Sequence, residues 1–124
     1  MNAKAKNANQ RVAPRVKPPK AAAVEVQIMG TDHIDVLPAR DISISGIGVQ
    51  VPHRFAGCDL GTEVELVITL PGMRSFRAYG IIRHWSGSSS DHFGVEFTRI
   101  DARHVSSISS YIKEYLEKLT KLPS

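Results

Sequence analysis

From Val24 to Phe97 the apolar residues recur at every second position, in one short run after another. The clearest runs are Val24, Val26, Ile28; then Ile34, Val36; then Ile42, Ile44; then Ile47, Val49, Val51; then Val64, Leu66, Ile68, Leu70. The stretches RSFRAYGIIRHW (74–85) and HFGVEF (92–97) continue the series. A period of two sends alternate side chains to opposite faces of an extended chain, so each run reads as a strand with one buried face. The segments between them, GTD (30–32), PGM (71–73) and SGSSSD (86–91), consist mostly of turn formers. Parity shifts at Ser45-Gly46, where a glycine marks a bulge or a turn, and Gly80 marks a second bend. Six or seven short antiparallel strands predict an all-β sandwich or closed barrel.

The chain ends on a different period. After Asp101, placed to cap a helix, apolar residues fall at Val105, Ile108, Ile112, Leu116 and Leu119. Steps of three and four define one stripe of an α-helix, which Pro123 ends. The stripe is expected to pack on the mouth or flank of the β domain, since left bare it would be a sizeable apolar patch. With 124 residues there is room for one domain and one core. The expected organisation is a disordered tail at 1–9, an arm at 10–20, the β unit at 21–99, the helix at 101–119 and a tail at 120–124.

The arm is where charge collects. Residues 1–20 carry Lys4, Lys6, Arg11, Arg15, Lys17 and Lys20 and no acid, against a formal charge of +4 for the whole chain. The remaining residues are therefore at +4 − 6 = −2. A nearly neutral body with a basic leader suggests an anionic partner. Pro14, Pro18 and Pro19 exclude a helix there and favour an extended or polyproline-like form. One cysteine, Cys58, allows no disulfide within the chain, and no run approaches a membrane span or a secretory signal. A cytoplasmic protein is expected.

Two spacings stand out. Arg11 and Arg15 form R-x-x-x-R, and Asp41, Ser43 and Gly46 form D-x-S-x-x-G. In that order, with the strand plan that follows, they resemble the PilZ family of bacterial cyclic di-GMP receptors. GTEVELVITLPG (61–72), YGIIRHW (79–85), HFGVEFTRI (92–100) and the closing helix extend the likeness over about residues 10 to 117. The resemblance implies a PilZ-type antiparallel β-barrel with a C-terminal helix and a basic N-terminal arm. It implies a ligand, cyclic di-GMP, held by Arg11 and Arg15 from the arm and by Asp41, Ser43 and Gly46 from the barrel wall. Members often carry a further arginine where this chain has Gln10, a departure that bears on whether one or two stacked dinucleotides bind. Lys17 could add charge, and Arg40 could pair with Asp41 or assist binding.

The residue chemistry agrees with that implication. The ligand presents two phosphates and two guanines. A guanidinium fork matches phosphate oxygens and guanine O6 and N7 alike. A carboxylate such as Asp41 accepts from the N–H donors of guanine's other edge, and Ser43 donates or accepts. Gly46 would let backbone approach the ligand or take a positive φ. The plain alternative is that Asp41 and Ser43 only bond a turn and Gly46 only makes a bulge. The arm is expected to be mobile and to close over the dinucleotide.

Other chemistry is poorly supported. His33, His53, His84, His92 and His104 show no metal-ligand spacing, and Cys58 has no recognisable base. SGSSS (86–90) lacks the lysine of a P-loop, and Trp85 at a strand end reads as core or rim. No acid–base pair argues for an enzyme, so no catalytic residue, metal or further cofactor is expected. The leading expectation is a receptor that signals through an unidentified protein partner in motility, biofilm or polysaccharide control. The alternatives are an adaptor of the same fold that needs no nucleotide, and a barrel binding single-stranded nucleic acid. The last wants stacking platforms, and aromatics make up only 6% of the chain.

Overall fold

The structure, a computed structural model, describes residues 13–29, 36–51, 59–85 and 92–121. Gln10, Arg11, Cys58, the tail before residue 10 and the turns at 30–32 and 86–90 lie outside the described residues.

Six antiparallel strands form a closed barrel: β1 (Glu25–Met29), β2 (Val36–Ile42), β3 (Gly46–Gln50), β4 (Glu63–Thr69), β5 (Phe76–Trp85) and β6 (His92–Ile100). Their order around the barrel is β1-β2-β3-β6-β5-β4, and β1 pairs with β4 to close it. Closure leaves no long sheet edge exposed to other chains. A 3-10 turn at Lys20–Ala22 leads in, and α1 (Ala102–Lys121) leads out.

The alternation seen in the sequence is the inside–outside alternation of the barrel. Val24, Val26, Ile28, Val49, Leu66, Ile68, Leu70, Ile82 and Phe93 are all at most 2% exposed. Burying each such side chain contributes roughly 1.5–3 kcal/mol. Of the bulge and the turn expected near Ser45-Gly46, the structure has the turn: Ile42 ends β2, Gly46 starts β3, and Ser43 N–H donates to Gly46 O at 2.9 Å between them. The parity shift at Ser45-Gly46 is thus a hairpin turn. Strand β2 in turn continues through Pro38 to Ile42.

Helix α1 is capped as expected. Asp101 Oδ1 accepts from the backbone N–H of Arg103 at 2.8 Å and from its side chain at 3.2 Å. These contacts hold the Asp101 carboxyl below its ordinary pKa. The apolar stripe is only half used. Ile108 and Ile112 are buried in the core, and Tyr111 and Tyr115 pack against it, whereas Leu116 and Leu119 are exposed. His104 stacks on Phe76 with ring centroids 4.5 Å apart, which fixes the first turn of α1 to β5. No helix among the described residues is long and apolar enough to cross a membrane.

Candidate functional site

Residues 13–20 are tied both to the barrel and to α1. Val16 is buried and forms an antiparallel bridge with Ile42: Val16 N–H donates to Ile42 O at 3.0 Å, and Ile42 N–H donates to Val16 O at 2.9 Å. One residue on, Lys17 O accepts from the Tyr115 hydroxyl at 2.8 Å. One residue earlier, Arg15 turns outward and donates from Nη1 to Asp41 Oδ1 at 2.5 Å. Both members of R-x-x-x-R cannot be compared, because Arg11 lies outside the described residues.

Two strand irregularities shape the barrel wall beside Arg15. In β2 the register shifts between Ala39 and Asp41, so Arg40 is an extra residue and both Arg40 and Asp41 face outward. In β5 it shifts between Ile82 and His84, and Arg83 and His84 both face outward. A bulge does this by inserting one residue against the partner strand. Between these strands lie β3 and β6, which face the same side with glycine. Asp41 pairs with Gly48, Gly48 with Gly94, and Gly94 with His84. The result is a trough of about 580 Å³ whose floor is glycine backbone. Arg15, Asp41 and Ser43 stand on one side of it, and Arg83, His84 and Glu96 on the other.

Each floor glycine is overhung. A Cβ on Gly48 would sit 2.7 Å from Asp41 Oδ1, so the carboxylate lies where a side chain would be. A Cβ on Gly94 would sit 2.7 Å from His84 Nε2 and 2.9 Å from its Nδ1. Gly46 has another role. Its Cβ would collide with the carbonyl oxygen of Val95, so its missing side chain allows β3 to approach β6. Its φ is not positive; among the described glycines only Gly61 and Gly72 have that conformation. Of the two expected reasons for glycine at 46, close approach applies, and what approaches is the neighbouring strand.

Ser43 is buried, at 1% exposure, and its hydroxyl lies 3.0 Å from that of Ser45 and accepts from Ser45 N–H at 3.2 Å. It organises the β2–β3 turn at the end of the trough. Arg40 contacts His92 Nε2 across the wall and not Asp41. Lys17 points its carbonyl to α1, and its side chain is in no ion pair among those the structure gives. Arg83 pairs with Glu96 at 2.7 Å. Trp85 packs on Phe93 with ring centroids 4.9 Å apart, as a core-edge residue. No group of three or more His, Cys, Asp or Glu among the described residues could hold a metal.

Sequence reasoning missed Gly48, Gly94, Arg83 and His84. The signal for the glycines was present: both sit at outward positions of strands, where glycine is costly unless something approaches closely. The bulge at Arg40 carried no glycine to betray it.

Comparison with known proteins agrees with this architecture. The chain matches the model of the PilZ domain over residues 9–114. A search of curated protein sequences finds no match. Among solved structures, the inhibitor of motility MotI/DgrA of Bacillus subtilis shares 22% identity at a TM-score of 0.68, over 87% of this chain and 52% of that one. The MrkH–c-di-GMP complex of K. pneumonia shares 11% identity at 0.72, over 90% and 54%. The PilZ domain of YcgR from Escherichia coli with c-di-GMP shares 16% at 0.68, over 91% and 99%. The chain thus spans about half the length of the first two proteins and nearly all of the third. With the motif-bearing barrel, the helix and a family match over residues 9–114, the chain belongs to the PilZ domain family.

Proposed function

We propose that this protein is a cyclic di-GMP receptor whose ligand lies in the backbone-floored trough between Arg15–Asp41 and His84. The observation that carries the reading is the meeting of Arg15 and Asp41 at 2.5 Å on the rim of that trough. A guanidinium and a carboxylate side by side offer complementary partners to the two faces of a guanylate: donors for phosphate or for O6 and N7, and an acceptor for N1–H and the amino group. Structural relatives solved with c-di-GMP support the ligand's identity.

The pair is inexpensive to open. The side chains are 45% and 20% exposed, and such surface pairs contribute roughly 0–1 kcal/mol. A dinucleotide offering two phosphates and two guanines replaces that contact with several charge-assisted ones. Val16 and the Tyr115–Lys17 bond fix the chain just after Arg15, so closure of the arm involves the residues before Val16, including Arg11 and Gln10. The ordered arm and the barrel wall then form one surface for a protein partner. The same segment touches α1 through Tyr115, which provides a route from ligand to helix. A neighbour described as an inhibitor of motility makes motility one process such a partner could serve.

A calorimetric titration of the full chain with cyclic di-GMP tests the reading. Heat with a defined stoichiometry, lost in Asp41→Ala and Arg15→Ala, is expected. No heat and no thermal shift well above micromolar ligand would sink it. The Arg15–Asp41 pair also satisfies both groups internally, which favours a second reading: an adaptor that holds its arm closed without nucleotide. That reading gains if the titration is silent and the protein still captures its partner.

A further inference from the structure

His84 is a lining residue of the trough that neither the motif nor an ion pair among the described residues accounts for. It lies at the far end of the register row Asp41–Gly48–Gly94–His84, which crosses four neighbouring strands. Three inter-strand steps separate the backbones of the end residues by about 14 Å. Both intervening residues are outward-facing glycines that are nevertheless buried, because the two end side chains lie over them. Rotation of those side chains away from the floor bares a flat strip of backbone. A planar ring fits such a strip, and both side chains remain within reach of its opposite edges.

The two ends differ chemically in a useful way. Asp41 only accepts hydrogen bonds when ionised, whereas an imidazole can donate one. Guanine is built with the same asymmetry: N1–H and the amino group donate on one edge, and N7 accepts on the opposite side of the ring. A guanine bound to Asp41 by its donor edge and laid across the glycines presents N7 to β5. The His84 imidazole already lies over Gly94, at the end of the row opposite Asp41, and is a donor placed to meet that atom. The arginine forks then address the phosphates.

We propose that His84 is a ligand-contacting residue that donates an imidazole N–H to N7 of the guanine whose N1–H and amino group are held by Asp41. The inference rests on the proposed function and adds a specificity contact to it. Its test is a calorimetric comparison of cyclic di-GMP with its bis-7-deazaguanine analogue, in which each N7 is a C–H. The proteins are the wild type, His84→Ala and His84→Phe, with melting curves recorded for each.

Wild type is expected to bind the 7-deaza analogue roughly tenfold more weakly, one hydrogen bond's worth. His84→Ala should bind cyclic di-GMP with about that same deficit and distinguish the two ligands no further. His84→Phe, which keeps a flat ring and loses the donor, should behave like the alanine variant. Wild-type affinity in His84→Phe overturns the proposal in favour of stacking. An equal loss for the deaza analogue in wild type and His84→Ala overturns it in favour of an N7 contact elsewhere. Unchanged binding in His84→Ala overturns it while the receptor function stands. A wild type that binds no cyclic di-GMP overturns both.

Discussion

Asp41 and Gly48 are opposite each other across β2 and β3, and the Asp41 carboxylate occupies the space that a side chain at 48 would fill. The contact is with the end of a half-buried side chain and not with backbone, so an added methyl at 48 displaces the carboxylate. Gly48→Ala should therefore change stability by less than about 1 kcal/mol while weakening cyclic di-GMP binding about tenfold. Gly46→Ala is the contrasting variant. There the methyl meets the fixed carbonyl of Val95, and the strands must part. Overpacking of this kind costs about 1–3 kcal/mol, so Gly46→Ala should lower the melting temperature clearly. Melting curves and calorimetry on the two variants separate the roles.

Arg15 and Asp41 should matter little to folding and much to ligand. Removing either side chain should cost no more than about 1 kcal/mol in chemical denaturation, given their exposure. Asp41→Asn keeps the shape and loses the charge; it should still reduce affinity at least tenfold, because a charged acceptor is replaced by a neutral one. Raising salt should weaken binding further through the phosphate contacts. Stability falling by several kcal/mol in Arg15→Ala would mean that the pair is structural.

Much of this was legible before any coordinates. Period-two runs named the strands, and a period near 3.6 named α1, because burial on one face imposes those spacings. The motif residues Asp41, Ser43 and Gly46 do come together at one end of the trough. Other features were only partly legible. At Ser45-Gly46 the parity shift is compatible with a bulge or a turn, and the hydrogen bond from Ser43 N–H to Gly46 O decides for the turn. The far rim was invisible because register is a property of strand pairs. Nothing in the spacing of Asp41, Gly48, Gly94 and His84 states that four strands bring them into one row. The helix stripe was expected to pack on the barrel's mouth or flank, the alternative being a second copy of the chain; Ile108 and Ile112 are buried, whereas Leu116 and Leu119 are exposed.

That division of α1 has a direct consequence. Ile108 and Ile112 are at most 3% exposed, so alanine at either should cost about 2–5 kcal/mol. Leu116 and Leu119 are 38% and 49% exposed, and alanine there should stay within about 0.5 kcal/mol. Urea denaturation of the four variants measures the difference. Large losses at Leu116 or Leu119 would mean that a second surface covers them in solution.

Val16 joins the trough to the core, and its substitution tests whether the arm works from a fixed point. The residue contributes no atom to a ligand contact: its side chain is buried at 4% exposure and its backbone bridges Ile42. Val16→Ala removes two methyl equivalents, about 1.6 kcal/mol at roughly 0.8 kcal/mol each. If Arg15 is positioned by this anchor, the variant should also bind cyclic di-GMP several-fold more weakly, because Arg15 must be ordered by the ligand itself. Tyr115→Phe, which removes the bond to Lys17 O, should show the same effect in smaller measure, with stability reduced by about 1 kcal/mol. Hydrogen exchange offers the independent readout: the amides of Val16 and Ile42 should be protected in the wild type and exchange faster in both variants. Wild-type affinity in Val16→Ala, with its stability reduced as expected, would show that Arg15 reaches the ligand without the anchor.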